Sequence, residues 1–259
     1  MYRRGVAQLG LAHSLGVREV GSSNLLAPTI FEISMNHATP RILIIIPAFR
    51  AASFLAELIG RIEEAAPDAD ILVINDGSPD DTTEILEKLN VNHLVNDRNR
   101  GKGYALRRGF DFAVAENYDY ALTIDADLQH RPEEIRRFTE SPFLCDIMIG
   151  TRRMDARQMP FNRRLVNNLT SLIVSIFSGR RIRDSQSGYR MISTGVIKRL
   201  HPKSRRYDYE TEMLFQAGLL DVAIAEVPVS TVYGRQASYI NPLCDTGRFI
   251  RQIWRRLFL

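Results

Sequence analysis

A run of five consecutive apolar residues near the start of the chain's regular pattern limits the folds open to it. Residues 42–46 read Ile-Leu-Ile-Ile-Ile, which is strand length, and Pro47 follows them. A strand that is apolar on both faces has to be covered on both sides, as in the parallel sheets of α/β proteins. Apolar residues at helical spacing follow over 53–66, and strand-like and helix-like patterns alternate from there to residue 149. We therefore predict an α/β fold, with a single mostly parallel sheet and helices on both faces.

The composition is that of an ordinary globular protein. Of 259 residues, 45% are apolar and 25% charged, and there are only 2 cysteines. This excludes disordered, collagen-like and disulfide-stapled classes, and the cysteine count fits a reducing compartment. No apolar run approaches the roughly 18–20 residues that a membrane-spanning helix needs. We expect one domain over residues 40–245, followed by a helical extension over 246–259.

Residues 1–39 do not share the alternating pattern. They have neither an unbroken apolar segment nor a small-residue cleavage site, so they do not read as a secretory signal. Residues 22–25 can be back-translated to a sequence typical of a tRNA T-arm. Two interpretations stay open: a disordered leader, or translation from upstream of a true start at Met35.

A pair of carboxylates follows one of the predicted strands directly. In an extended chain, residues i and i+2 point to the same side, so Asp125 and Asp127 converge, and Gln129 joins them if the extension continues. Hard oxygen ligands of this kind suit Mg²⁺ or Mn²⁺, which leave coordination positions for phosphate oxygens. The alternative is an acidic turn that only caps the helix beginning near Pro132.

Charge is segregated along the chain. Residues 41–150 carry 12 Lys and Arg against 20 Asp and Glu, whereas residues 151–190 carry nine arginines against two aspartates. A carboxylate-rich part followed by an arginine-rich part indicates a metal or polar-ligand site that meets an anionic partner. A phosphorylated lipid or a membrane surface fits that partner. Nucleic acid does not, because no recognisable binding module is present. A solvated basic face is the alternative.

Two common nucleotide-binding motifs are absent from the two loops of this sequence that could carry them. The first strand-to-helix turn, over 47–53, contains no glycine, which excludes the dinucleotide fingerprint there. Gly101-Lys102-Gly103 is followed by Tyr104 where a phosphate-binding P-loop needs Ser or Thr.

Six short motifs occur in an order that resembles a known family. They are Pro47-Ala-Phe, Asn75-Asp-Gly-Ser, Asn99-x-Gly-Lys-Gly-x-Ala105, Asp125-Ala-Asp-Leu-Gln-His130, Gly150-Thr-Arg152 and Asp184-Ser-Gln-Ser-Gly-Tyr-Arg190. Together they resemble family 2 of the inverting nucleotide-sugar glycosyltransferases, which have the GT-A fold. Within that family they are most similar to the dolichyl- or polyprenyl-phosphate mannose and glucose synthases. The resemblance covers about residues 40–245.

The resemblance implies metal-dependent transfer of a hexose from a GDP-mannose or UDP-glucose type donor to a polyprenyl or dolichyl phosphate. The donor-side residues that it implies are Pro47, Ala48, Asp76, Gly101, Lys102, Asp125 and Ala126. The implied ligands of Mg²⁺ or Mn²⁺ are Asp125, Asp127 and Gln129. The implied acceptor contacts are Arg152, Arg163, Gln186, Arg190 and Arg235, and the implied catalytic residues are Asp127, Arg152, Arg163 and Asp184.

Two positions depart from the family pattern. Arg50-Ala51 stands where the family usually has Asn-Glu, and Asn75 replaces the first acid of Asp-Asp-Gly-Ser. Both changes leave the identity of the nucleotide open, and neither touches the predicted metal ligands.

The acceptor decides whether a catalytic base is needed. A phosphate monoester has a second pKa near 6 and is already a nucleophile at neutral pH. A sugar hydroxyl acceptor would instead require a carboxylate base, and Asp184 is the candidate. An alternative of another class is a catalytically silent, membrane-associated protein that only binds nucleotide sugars.

The last residues form a basic amphipathic pattern. An apolar stripe at helical spacing ends the chain, and arginines occupy the other positions around it: Arg248, Arg251, Arg255 and Arg256. Such a helix suits the interface of an anionic membrane, and it also suits packing against the sheet. If the helix lies at a membrane, we expect a peripheral enzyme at the cytoplasmic membrane face, with a separate membrane protein as a further partner.

Overall fold

The computed structural model describes residues 39–141, 145–152, 171–176, 179, 181–206 and 208–232. The strands are β1 (Ile42–Ala48), β2 (Asp70–Asn75), β3 (Asn92–Val95), β4 (Tyr120–Thr123), β5 (Ile147–Arg152), β6 (Arg190–Ser193) and β7 (Ile224–Val229). The helices are α1 (Ala52–Ala65), α2 (Thr82–Lys88), α3 (Lys102–Ala115), α4 (Arg136–Thr139), α5 (Thr194–Ile197) and α6 (Asp208–Leu219), with a 3₁₀ turn at Pro132–Ile135. Residues 171–176 are also helical.

The seven strands form one sheet in the order β3-β2-β1-β4-β6-β5-β7. β1 pairs in parallel with both β2 and β4, and β5 pairs in parallel with β7. β6 runs antiparallel to its neighbours β4 and β5. The predicted mostly parallel sheet is confirmed, with β6 as the exception.

Strand β1 explains why the sheet is covered on both faces. Ile44 and Ile46 point to one side, where Leu58 and Ile62 of α1 join the same core cluster. Leu43 and Ile45 point to the other side, where the core includes Leu106 and Phe110 of α3 and residues of α6. The uniformly apolar run thus supplies both cores at once, since successive side chains alternate between the faces.

The strand order also determines where polar residues collect. The chain runs outward from β1 to β2 and β3, and then returns to the other side of β1 with β4. Ligands of open α/β sheets bind beyond the carboxyl ends of the strands at such a reversal. The residues that follow β1, β2 and β4 all lie at that edge. In the described part of the chain, no helix combines the length and apolar character needed to cross a membrane.

Candidate active site

The carboxylate pair lies at this edge of the sheet, just beyond β4. That strand ends at Thr123, and the chain turns at Leu128, whose φ is 57°. The backbone N–H of Gln129 donates to Asp127 Oδ1 at 3.0 Å. Because the chain turns here, the condition of continued extension under which Gln129 would join the pair is not met. Asp125 and Asp127 remain close enough for the charge of Asp125 to raise the pKa of Asp127, and Gln129 stays a predicted ligand.

A largely buried lysine lies between Asp125 and a third carboxylate. Lys102 Nζ lies 2.6 Å from Asp125 Oδ1 and 3.1 Å from Glu210 Oε1. Lys102 is the first residue of α3, and Glu210 lies in the first turn of α6. The Lys102 side chain is 14% exposed and that of Glu210 7%. Three elements that are distant in sequence therefore meet in one ion-paired group, which we call the Lys102 triad (Asp125, Lys102 and Glu210).

The charges of this region depend on one another. Burial works against the charge of Lys102, but Asp125 and Glu210 raise its pKa well above the ordinary value. Burial also opposes the charge of Asp125, and Lys102 holds the pKa of that carboxyl below its usual range. Burial and then the charge of Asp125 raise the pKa of Asp127. Burial also raises the pKa of Glu210. Asp127 is therefore one of two carboxylates here whose charge is poorly compensated, and a nearby cation would stabilise it.

The donor atoms present fit a hard divalent cation. Asp125 and Asp127 offer carboxylate oxygens, which Mg²⁺ and Mn²⁺ prefer. Within the described ranges no group of three or more His, Cys, Asp or Glu side chains forms a ready-made metal site. A pair of carboxylates matches a cation that keeps several positions for water and phosphate oxygens.

Gly188 brings the loop before β6 close against the triad. A Cβ at this position would lie 2.5 Å from Asp125 Oδ2 and 2.8 Å from Lys102 Nζ. Thr123 Oγ1 donates to the Gly188 carbonyl at 2.7 Å, which keeps the loop in place. Any side chain here would therefore displace the ion pair.

Asp76 orders the loop that precedes α3. Its carboxylate accepts hydrogen bonds from Asn96 Nδ2 at 2.6 Å, Arg100 N at 2.9 Å and Gly101 N at 2.7 Å. Gly101 has a φ of 97°, which disfavours side chains, and a Cβ there would collide with the Arg205 carbonyl. Asp76 therefore shapes the loop that carries Lys102, whatever else it contacts.

Of the other predicted donor-side residues, Pro47 and Ala48 are the last two residues of β1, and Ala126 follows β4. Pro47 is partly exposed at the end of β1. The side chains of Ala48 and Ala126 are buried in the core beneath the site. Contacts from these two alanines to a nucleotide would consequently come from backbone atoms.

Arg152 and Asp184 form a bidentate ion pair. Arg152 Nε donates to Asp184 Oδ2 at 2.6 Å, and Nη2 donates to Oδ1 at 2.8 Å. Asp184 is fully buried. Despite that burial, Arg152 keeps the pKa of the Asp184 carboxyl below its ordinary value. A carboxylate held in this way is a poor proton acceptor, so the geometry argues against Asp184 as a catalytic base.

The predicted acceptor contact of Arg190 is wrong. Its side chain is only 2% exposed, and its guanidinium donates to the carbonyls of Ser185, Ser187 and Glu210 at 2.7–2.8 Å. Arg190 therefore holds the 185–188 loop against the start of α6. Gln186 is exposed on the same loop. Arg163 and Arg235 lie outside the described residues, as does the 246–259 segment that we predict to be helical.

Sequence reasoning gave no site role to Glu210 or His130. No local pattern connects Glu210 with a lysine more than a hundred residues earlier. His130 is buried, its ring packs 5.0 Å from that of Tyr189, and its Nδ1 has no hydrogen-bond partner among the described residues. Burial lowers the pKa of His130 to about 4, so the ring is neutral at physiological pH.

Comparison with known proteins identifies a family for this chain. The model of glycosyl transferase family 2 matches residues 43–199. An undecaprenyl-phosphate mannosyltransferase from Micrococcus luteus is 31% identical over 203 residues, which cover 74% of this chain and 84% of that protein. A UDP-N-acetylglucosamine–dolichyl-phosphate N-acetylglucosaminyltransferase from Methanococcus voltae is 30% identical over 217 residues, covering 74% and 86%.

Another relative is the polyprenol monophosphomannose synthase of Mycolicibacterium smegmatis, 28% identical over 205 residues that cover 74% of this chain and 77% of that protein.

Solved structures show the same architecture. Glucosyl-3-phosphoglycerate synthase from Mycobacterium tuberculosis, in complex with Mn²⁺, UDP and phosphoglyceric acid, superposes with a TM-score of 0.69. The identity is 18%, and the match covers 85% of this chain and 79% of that one. This likeness establishes the GT-A fold. Together with the family match over more than half of its length, it leads to one conclusion: the chain belongs to glycosyl transferase family 2 and is a glycosyltransferase.

Proposed function

We propose that this glycosyltransferase moves a hexose from a GDP-mannose or UDP-glucose type donor to a polyprenyl or dolichyl phosphate. The names of three relatives, including those from Micrococcus luteus and Methanococcus voltae, each specify a lipid phosphate or phosphorylated polyprenol. The single structural observation that carries the proposal is the Arg152–Asp184 pair. It removes the candidate base and presents an arginine beside the site, which suits an acceptor that is itself anionic.

Asp125 and Asp127 would hold the divalent cation, Mg²⁺ or Mn²⁺, with Gln129 as a further predicted ligand. When bound, the cation supplies charge compensation for the leaving diphosphate. Pro47, Asp76 and the Gly101–Lys102 loop border the adjoining space at the ends of β1 and β2, where we place the nucleotide. The positive end of α3 lies at that loop and favours an anion.

The acceptor phosphate needs orientation more than activation. Its second pKa near 6 leaves it ionised at neutral pH, so no protein group has to remove a proton. The predicted roles of Arg152 and Arg163 are to hold it in line with the anomeric carbon of the sugar. Since Asp184 fixes the guanidinium of Arg152, the arginine is oriented before the acceptor binds.

A lipid acceptor requires access to a membrane surface. We propose peripheral association at the cytoplasmic face, through the basic residues of the predicted 246–259 helix, with a separate membrane protein as a further partner. Each exposed arginine near an anionic surface contributes about 1 kcal/mol at low salt.

The metal assignment is tested by Asp127→Ala in a sugar-transfer assay with undecaprenyl phosphate. We expect a loss of about a thousandfold, since a cation's charge stabilisation amounts to several kcal/mol. The matched control is Asp68→Ala, which removes an exposed carboxylate before β2 at the opposite edge of the sheet. Activity within tenfold of the wild type, in metal-depleted buffer restored with Mg²⁺ or Mn²⁺, would contradict the assignment.

The acceptor class is tested by comparing three acceptors at equal donor concentration. Undecaprenyl phosphate should be glycosylated, whereas the matching alcohol, which lacks the phosphate, should not. Phosphoglyceric acid provides the third arm, because it is bound by the Mycobacterium tuberculosis structural relative. If phosphoglyceric acid is the only one of the three to be glycosylated, the acceptor is a soluble phosphate. Glycosylation of the alcohol would instead support the alternative of a hydroxyl acceptor.

A further inference from the structure

The Lys102 triad places a protein cation where the predicted metal ligands are. Lys102 Nζ is 2.6 Å from Asp125 Oδ1, closer than it is to Glu210. Without the ammonium, Asp125, Asp127 and Glu210 would leave three carboxylates in one largely buried region. Such a set would attract a divalent cation strongly, because charges interact more strongly when solvent is excluded.

The position of Lys102 is built into the fold. α3 begins at this residue, and a Cβ on Gly103 would lie 2.5 Å from Tyr209 Cβ, so α3 and the start of α6 are in close contact. Gly188 packs against this ion pair, because a Cβ there would come too close to both the ammonium and Asp125. Glu210, on α6, holds the ammonium from the other side. Lys102 is thereby kept at Asp125 by two helices and a loop.

We propose that Lys102 is a resident counter-ion that makes binding of the divalent cation depend on the donor's diphosphate, with Glu210 as the residue that positions it. The inference deepens the proposed function and rests on its Asp125–Asp127 metal site. Lys102 already compensates Asp125, so a cation approaching the free protein meets repulsion from the ammonium and weak attraction from the carboxylates. A nucleoside diphosphate adds negative oxygens that attract both the cation and Lys102.

This arrangement predicts opposite effects for two substitutions in the same triad. Lys102→Met removes the repelling charge and leaves two carboxylates uncompensated, so the free protein should bind Mn²⁺ more tightly. Glu210→Gln keeps the ammonium and removes one carboxylate, so binding of Mn²⁺ should become weaker. A purely structural role would loosen the site in both variants and weaken binding in both.

The experiment measures Mn²⁺ binding by ultrafiltration and by the electron paramagnetic resonance signal of free Mn²⁺, without turnover. The wild type should bind Mn²⁺ at least about tenfold more tightly when GDP or UDP is present than when it is absent. Lys102→Met should bind at least about tenfold more tightly than the wild type without nucleotide. Lys102→Arg, which keeps the charge, should resemble the wild type. Weaker or unchanged binding by Lys102→Met, or equal wild-type affinity with and without nucleotide, would overturn the proposal.

Two controls separate this result from failure of the metal site itself. Asp127→Asn with nucleotide should lose the protein-bound Mn²⁺. If the wild type with nucleotide retains no Mn²⁺ beyond that carried by GDP or UDP alone, the metal-site proposal is wrong, and the proposal for Lys102 is wrong with it.

If Lys102→Met does not fold, the Lys102→Met/Glu210→Gln double variant replaces it. Loss of the ammonium then leaves one carboxylate of the triad without a counter-charge instead of two. That variant should also bind Mn²⁺ more tightly than the wild type without nucleotide, and unchanged or weaker binding would overturn the proposal.

Discussion

At the scale of single residues, the Arg152–Asp184 pair determines what chemistry the acceptor side can perform. Asp184 is fully buried and receives two guanidinium hydrogen bonds, which stabilise its charged form. Removing one partner of such a pair leaves the other charge without compensation, which typically costs about 3 kcal/mol. Asp184 is therefore expected to contribute to stability and to the orientation of Arg152.

Asp184→Asn separates this role from base catalysis. We expect the free energy of unfolding to fall by about 3 kcal/mol at neutral pH. We expect kcat to stay within about tenfold, whereas loss of a general base costs about a hundredfold or more. The KM for the phosphate acceptor should rise, because Arg152 is no longer held. A loss of kcat beyond a hundredfold at saturating acceptor would show that Asp184 takes the proton after all.

The Arg152–Asp184 pair also predicts how the difference in unfolding free energy between the wild type and Asp184→Asn depends on pH. The pKa of Asp184 is depressed in the folded protein. Its stabilising contribution is therefore fully present above its unfolded pKa of about 3.9 and is lost as the pH falls through the lower folded value. Urea unfolding of the wild type and of Asp184→Asn should differ by a constant amount at pH 6–8. The difference should shrink only below about pH 4.

At the scale of secondary-structure elements, the contact between α3 and the start of α6 assembles the Lys102 triad. Gly103 makes it possible, since a Cβ there would lie 2.5 Å from Tyr209 Cβ and 2.9 Å from the backbone at Arg205. Backbone atoms cannot move aside as the end of a flexible side chain can. The separation of the two helices is consequently set at this position.

Gly103→Ala should force the two helices apart and lower the free energy of unfolding by about 2 kcal/mol, as overpacking of a tight core does. The matched control is Gly60→Ala in α1, where a Cβ would meet nothing within 4 Å. That control should raise stability by up to about 1 kcal/mol, because alanine favours the helix. Chemical denaturation of both variants tests the pair, and equal effects would refute the close approach of α3 and α6.

At the scale of the whole molecule, the basic end of the chain is the candidate for membrane contact. The apolar stripe and arginines of residues 246–259 lie outside the described residues, so the amphipathic helix stays a prediction from the sequence. A protein ending at Asp245 should keep its melting temperature and lose binding to anionic vesicles at low salt, since each arginine adds about 1 kcal/mol near such a surface. Co-sedimentation with anionic vesicles and a thermal melt check this together. A sharp drop in melting temperature would show instead that the segment packs against the sheet.

The sequence by itself determined the sheet, its two cores and the place of the polar residues. Burial of Ile42–Ile46 on both faces follows from local composition alone, because a strand with no polar face has to be covered twice. Asp125 and Asp127 were found for a similar reason, since they follow a buried strand and lie close in sequence. Such features depend only on neighbours along the chain.

Tertiary structure alone decided which charges are paired. Lys102, Asp125 and Glu210 come from three separate parts of the chain, and only the packing of α3 against both the sheet and α6 brings them within ion-pair distance. Arg190 has the positive charge expected of a residue that binds an anionic acceptor, yet in the folded protein its guanidinium donates to three backbone carbonyls. Burial and long-range pairing set the energy of a charge, and neither is encoded in local sequence.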